Sequence, residues 1–77
     1  MITNAGEYLA GLEAEIERIK EKGKHFLYRP AEELSEDVVQ QVRIYFMKQD
    51  WYILELKKCM SCLTSYEIII EIRSQFV

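Results

Sequence analysis

The chain has 77 residues, of which 49% are hydrophobic and 30% are charged, and its formal net charge is −3. This composition is typical of a globular protein and excludes disordered and collagen-like classes. A chain of this length forms one domain, and it buries only about 60% of the surface that its unfolded state exposes, so self-association would add useful stability. No apolar run reaches the ~20 residues of a membrane span, and the first residues lack the features of a signal peptide. We therefore expect a cytoplasmic protein that does not bind membranes.

The first predicted element is a helix over residues 5–22. Asn4 is a typical N-cap residue, and Glu7 follows three positions later as in a capping box. Gly23 suits the left-handed conformation in which many helices end. The apolar residues that recur at helical spacing on one stripe are Ala5, Tyr8, Leu9, Leu12, Ile16 and Ile19.

A short strand over residues 25–28 and a second helix over residues 36–48 follow. Arg29 and Pro30 are expected to end the strand, because proline has no backbone N–H and restricts the residue before it. Ser35 is a suitable N-cap for the second helix, with Leu34 before it and Val39 after it as a hydrophobic staple. The expected buried face of this helix consists of Val38, Val39, Val42, Tyr45 and Phe46.

Two alternating apolar runs, over residues 51–58 and 63–73, predict a β-hairpin with its centre near Ser61. In this register Tyr52, Leu54 and Leu56 face Ile70, Ile68 and Tyr66, and Ile53 faces Ile69 on the more polar side. The predicted fold class is therefore α+β, in the order α-β-α-β-β, with both helices on one face of a three-stranded sheet.

The predicted turn contains the CxxC motif Cys59-Met60-Ser61-Cys62. A zinc site needs four ligands, and His25 is the one further soft candidate, so a metal site would require the cysteines of two chains. Redox chemistry favours a cysteine at a helix N-terminus, whereas Cys59 follows a strand. We interpret the motif as small turn residues, and we expect neither a cofactor nor enzymatic activity.

Acidic residues occur in two blocks, over residues 1–17 and 30–42, neither of which contains a basic residue. Glu36 and Asp37 would complement a helix dipole, which is the ordinary explanation for such residues. Like charges spaced four apart on the first helix, by contrast, cost stability. These blocks therefore predict a surface for a basic partner protein, whereas the acidic pI disfavours direct nucleic-acid binding. The candidate partner-binding residues are Glu13, Glu17, Glu21, Glu32, Glu33, Glu36 and Asp37.

A homodimer is also expected, because apolar residues fall outside the predicted core. Ile44 and Met47 lie off the buried stripe of the second helix, and Ile53 and Ile69 lie on the polar face of the sheet. These four residues are the candidate dimerisation surface.

The order of these segments resembles a broad group of small tailed-phage proteins with a helix, a Gly-Lys break, a capped second helix and a terminal hairpin. The segments that carry the resemblance are residues 16–24, 34–36, 45–53 and 66–70. Asp50 replaces the usual glycine before the second strand, and Ile72-Arg73-Ser74 replaces a terminal Ile-x-Trp.

Host-takeover factors recur among such phage proteins, and some are acidic proteins that occupy the DNA-binding surface of a host nucleoid protein of the HU type. The resemblance therefore implies a non-enzymatic inhibitor or DNA mimic that acts in the host cytoplasm. The alternative is a structural or assembly protein that oligomerises through its hairpin, with an intermolecular CxxC metal site as one variant.

Overall fold

The computed structural model describes residues 1–59 and 64–73. In chain order its elements are α1 (Ala5–Glu21), β1 (Phe26–Glu33), α2 (Glu36–Met47), β2 (Tyr52–Lys58) and β3 (Ser65–Ile72). This order confirms the predicted α+β fold. The strands form one antiparallel sheet in the order β1-β3-β2, so β3 is central and the other two strands are its edges.

Both helices begin at the capping residues that the sequence indicates. The side chain of Asn4 accepts a 3.0 Å hydrogen bond from the backbone N–H of Glu7, and the Ser35 hydroxyl accepts a 3.3 Å bond from Val38. Gly23 has a φ of 72°, which is the left-handed conformation expected after α1. Local capping chemistry therefore sets the limits of both helices to within one residue of the prediction.

The two helices start at the same end of the molecule. Ile2 forms a parallel bridge with Leu34, and the N–H of Ser35 donates a 2.9 Å hydrogen bond to the carbonyl of Ile2. Because these residues immediately precede α1 and α2, the N-terminal turns of both helices lie close together.

The core lies between the two helices and one face of the sheet. Leu12 and Val38 from the helices and Ile68 and Ile70 from β3 have no exposed surface. The other face of the sheet, which we call the open face, carries Phe26, Tyr28, Ile53 and Ile69. The buried residues are Tyr8, Leu12, Ile16, Leu27, Leu34, Val38, Val39, Val42, Phe46, Ile68 and Ile70.

The prediction that Arg29 and Pro30 end the first strand is wrong. Strand β1 continues through both residues to Glu33, and its pairing with β3 shifts between Arg29 and Glu32. Proline is tolerated because β1 is an edge strand and the irregularity removes the need for a regular ladder donor there.

The predicted hairpin register is also wrong, by two residues. Leu54 lies opposite Ile70 and Leu56 opposite Ile68, whereas Ile53 faces Glu71 rather than Ile69. An even shift keeps every side chain on its predicted face, so the assignment of core and open faces is unaffected. The predicted turn centre at Ser61 lies outside the described residues.

Candidate protein-interaction surfaces

The end of the molecule where both helices begin is acidic. Glu7 lies in the first turn of α1, and Glu36 and Asp37 lie in the first turn of α2. Glu32 and Glu33 are the last two residues of β1, and this strand is followed directly by the cap of α2. We call these five residues the acidic end. Their position beside two helix N-termini stabilises the negative charges through the helix dipoles.

Two members of the acidic end are partly neutralised within the chain. Glu32 accepts a 2.7 Å hydrogen bond from the Tyr8 hydroxyl and lies 3.4 Å from the Arg29 guanidinium. Glu33 lies 3.9 Å from the N-terminal ammonium group. Glu36 and Asp37 are exposed and form no ion pair with the described residues. Glu7 is likewise exposed without an ion pair to the described residues, so these three are the carboxylates of the acidic end that remain available for a partner.

The predicted acidic surface on α1 is divided. Glu13 accepts a hydrogen bond from the Tyr45 hydroxyl, which raises the pKa of that tyrosine, with a further contribution from burial. Glu17 is exposed and pairs with Lys20 across 3.8 Å, and Glu21 is exposed at the end of α1. Glu13 thus helps to hold α1 against α2, while Glu17 and Glu21 remain on the surface.

Arg29 is a central structural residue that the sequence interpretation missed. Its guanidinium group contacts the carboxylates of Glu15 and Glu32, and it lies 5.1 Å from the centre of the Tyr8 ring. Burial lowers the pKa of Arg29, but the hydrogen bonds and charge attraction of Glu15 and Tyr8 together outweigh burial and raise the pKa. No local sequence pattern predicts the contact between Arg29 and Glu15, because these residues are 14 positions apart.

Basic side chains concentrate at the opposite end of α1. Arg18 and Lys20 lie in its last turn, where they complement the helix dipole. Lys20 donates a 3.1 Å hydrogen bond to the Tyr52 hydroxyl, which raises the pKa of Lys20. Lys58 is an exception to this distribution, because it lies at the end of the sheet that is nearest the acidic end. Its ammonium group lies 5.9 Å from the centre of the Tyr66 ring. Basic residues therefore outnumber acidic ones at the C-terminal end of α1, where Glu17 and Glu21 also lie.

The four predicted dimerisation residues do not form one patch. Met47 is 83% exposed and Ile53 is 41% exposed, and both line a groove of about 450 Å³ between the end of α2 and β2. Ile44 does not line this groove and is exposed on the outer side of α2, while Ile69 is half-buried in the middle of the open face. The sequence correctly indicates that Ile44, Met47 and Ile53 lie outside the core, but Ile44 lies on a different surface from the groove that Met47 and Ile53 line.

The open face also carries aromatic residues that the sequence interpretation did not assign to a surface. Phe26 is 61% exposed and Tyr28 is 56% exposed, and both lie on the edge strand β1. The Tyr28 hydroxyl donates a 2.8 Å hydrogen bond to Glu67, which raises the pKa of Tyr28. The two-residue period of a strand was the available signal, because it places Phe26 and Tyr28 on the opposite face from Leu27, which is buried.

The CxxC motif is only partly described. Cys59 is half-buried, and its backbone N–H donates a 2.8 Å hydrogen bond to the carbonyl of Ser65, whereas Cys62 lies outside the described residues. Within residues 1–59 and 64–73, no group of three or more histidine, cysteine or acidic side chains could hold a metal ion. In the same part of the chain, neither helix has the length and apolar character needed to cross a membrane.

Comparisons with protein-family models, with curated proteins and with solved structures gave no match to this chain.

Proposed function

We propose that this chain is a non-enzymatic binding protein that docks its acidic end on a basic, DNA-binding partner protein. The observation that carries the proposal is the exposed pair Glu36 and Asp37, which forms no ion pair with the described residues and lies beside further carboxylates. The kind of partner follows from the resemblance to phage host-takeover proteins: a host nucleoid protein of the HU type, bound in the host cytoplasm.

The geometry supports a role as a DNA mimic. Glu36 and Asp37 are held on a capped helix turn, and Glu33 and Glu7 are fixed by β1 and α1. Carboxylates fixed in this way require little ordering when a basic surface approaches, because the fold has already placed them. Complementary potentials would also accelerate and orient the encounter, and this contribution would weaken with added salt.

An apolar contact lies next to these charges. Ile44 is 44% exposed and lies seven residues after Asp37, so helical geometry places both on the same outward stripe of α2. Lasting affinity in protein interfaces depends on such apolar contacts inside a polar rim. The proposed docking surface therefore comprises the acidic end and Ile44, with Glu17 and Glu21 as a further acidic region on α1.

A DNA-displacement assay tests this function. Labelled duplex DNA is bound to a purified HU-type nucleoid protein, and increasing amounts of the chain are added at low and at high salt. We expect the chain to displace the DNA at low salt, to lose potency at high salt, and to cause no shift of DNA alone. The double variant Glu36→Gln/Asp37→Asn should weaken displacement by about tenfold, which corresponds to about 1.4 kcal/mol.

The matched control is Asp50→Asn/Glu71→Gln, which makes the same two kinds of substitution before β2 and in β3, away from the acidic end. This control should displace DNA as the unmodified chain does. The proposed function is wrong if the chain fails to displace DNA from the nucleoid protein, or if both double variants weaken displacement equally.

A further inference from the structure

The two edges of the sheet differ in their protection against another strand. Strand β1 contains Pro30, and its pairing with β3 shifts between Arg29 and Glu32, so it presents an irregular edge. Strand β2 pairs with β3 in unbroken register along all seven of its residues, from Tyr52 to Lys58. A regular edge without proline or bulge is a template for pairing with a further strand.

The hydrogen-bonding pattern identifies the free backbone groups of β2. At either end of this strand, Arg73 donates to the carbonyl of Trp51 across 2.6 Å, and Cys59 donates to the carbonyl of Ser65 across 2.8 Å. Antiparallel ladders alternate between hydrogen-bonded and non-hydrogen-bonded pairs, so the odd-numbered residues of β2 bond to β3. The outer edge therefore presents the N–H and C=O groups of Tyr52, Leu54, Leu56 and Lys58.

A partly apolar groove lies above this edge. It has a volume of about 450 Å³, and its lining includes Arg43 and Met47 from α2 and Tyr52, Leu54 and Leu56 from β2. The side chains of these three β2 residues pack against the core but remain partly exposed. An added strand would cover this apolar surface and also satisfy the free backbone groups.

We propose that the added strand is β2 of a second copy of this chain, paired antiparallel about a two-fold axis at Leu56. Within one chain Glu55 and Lys57 form an exposed ion pair of 3.8 Å. This register places Glu55 of each copy directly opposite Lys57 of the other and so gives each charge a second partner, and this charge complementarity identifies the occupant. Glu55 and Lys57 are at non-hydrogen-bonded positions of the new ladder, where opposing side chains are closest. The result is one continuous sheet through both copies, with all helices on the same face.

Neighbouring registers lack this complementarity. An axis at Glu55 would place the two Glu55 carboxylates against each other, and an axis at Leu54 would place Glu55 opposite Ile53. Like charges directly opposite destabilise a strand pair, and a carboxylate opposite an apolar residue gains no partner. The inference goes beyond the proposed function, because it uses none of the residues of the acidic end.

Sedimentation equilibrium of a charge-swap series tests the pairing. We expect a concentration-dependent dimer for the unmodified chain. Glu55→Lys and Lys57→Glu should each raise the dissociation constant by about tenfold, because each places like charges opposite each other twice. The double swap Glu55→Lys/Lys57→Glu should return the constant to within about threefold of the original, since it restores both pairs. Lys24→Glu, an exposed change outside the strands, is the control for net charge.

A second pair of variants tests the backbone contact and does not depend on charge reversal. The N–H of Lys58 points outward, so Lys58→Pro removes a donor between copies without removing one within the chain, and Lys58→Ala retains that donor. We expect Lys58→Pro to weaken the dimer more than Lys58→Ala does, with circular dichroism confirming that both are folded. The inference is overturned if the unmodified chain is a monomer at every concentration, or if Glu55→Lys leaves the dimer unchanged. It is also overturned if the double swap fails to restore association.

Discussion

The hydroxyl group of Tyr8 donates a 2.7 Å hydrogen bond to Glu32, and this bond joins the first turn of α1 to the end of β1. The two residues are 24 positions apart, and Arg29 contacts both of them. Arg29 also pairs with Glu15 in the middle of α1. The network therefore fixes the helix to the edge strand at two levels, next to the carboxylates of the acidic end.

We expect Arg29→Met to lower the free energy of unfolding by about 1.5 to 3 kcal/mol, the range for hydrogen bonds to charged groups. The substitution retains an apolar stem but leaves Glu15 and Glu32 without their common cation. Urea unfolding followed by circular dichroism measures the change. The exposed Arg18→Met is the control, and equal losses for the two variants would contradict the special role of Arg29.

The stability of the chain should also fall at alkaline pH because of Tyr8. Burial and the hydrogen bond to Glu32 raise the pKa of Tyr8 in the folded state above its ordinary value of about 10. The stabilisation is then fully present below about pH 10 and is lost as the pH rises beyond it, since the folded state retains the proton more strongly. We expect the free energy of unfolding to fall less steeply for Tyr8→Phe than for the unmodified chain between about pH 8 and about pH 11, a range that spans the ordinary tyrosine pKa. Equal slopes for the two proteins would contradict this assignment.

Two glycines should respond oppositely to alanine. Gly11 lies inside α1, and a Cβ atom there would approach only the flexible end of Arg29, at 3.7 Å. Gly11→Ala should therefore raise the free energy of unfolding by about 0.5 to 1 kcal/mol. Gly23 has a φ of 72°, so Gly23→Ala should lower it by about 1 to 2 kcal/mol. Thermal melts of both variants would contradict this interpretation if the two shifts had the same sign.

Truncation of the core should unfold much of the protein. Leu12 and Ile70 have no exposed surface, so replacing either with alanine should cost about 2 to 5 kcal/mol, a large part of a small domain's stability. Ile44→Ala is the matched control because this side chain is 44% exposed. Denaturant midpoints separate the cases, and a cost for Ile44→Ala as large as that for Leu12→Ala would show that the core is assigned incorrectly.

Features that depend on neighbouring residues were the most predictable from sequence. Asn4 and Ser35 cap their helices as expected, because a capping side chain bonds to a backbone group three residues away. The faces of β2 and β3 were also correct, since alternation along a strand determines them. These local signals were sufficient for the order and type of all five elements.

Features that depend on distant contacts were not predictable in the same way. The tolerance of Pro30 depends on β1 being an edge strand, and the hairpin register depends on the turn as well as on the apolar pattern. The division of the acidic surface has the same origin. Glu13 is held by Tyr45 and Glu32 by Tyr8, and both contacts arise only when α1 packs against other elements.

The central position of β3 has a consequence for the order of folding. Among the described residues, this strand is the last of the five elements, yet it is the one strand with which both β1 and β2 pair. During synthesis the two edge strands would leave the ribosome before β3, their hydrogen-bonding partner. Their apolar side chains would then have no central strand beside which to pack. The helices can form early from local contacts, but closure of the sheet must wait for the pairings of longest sequence separation.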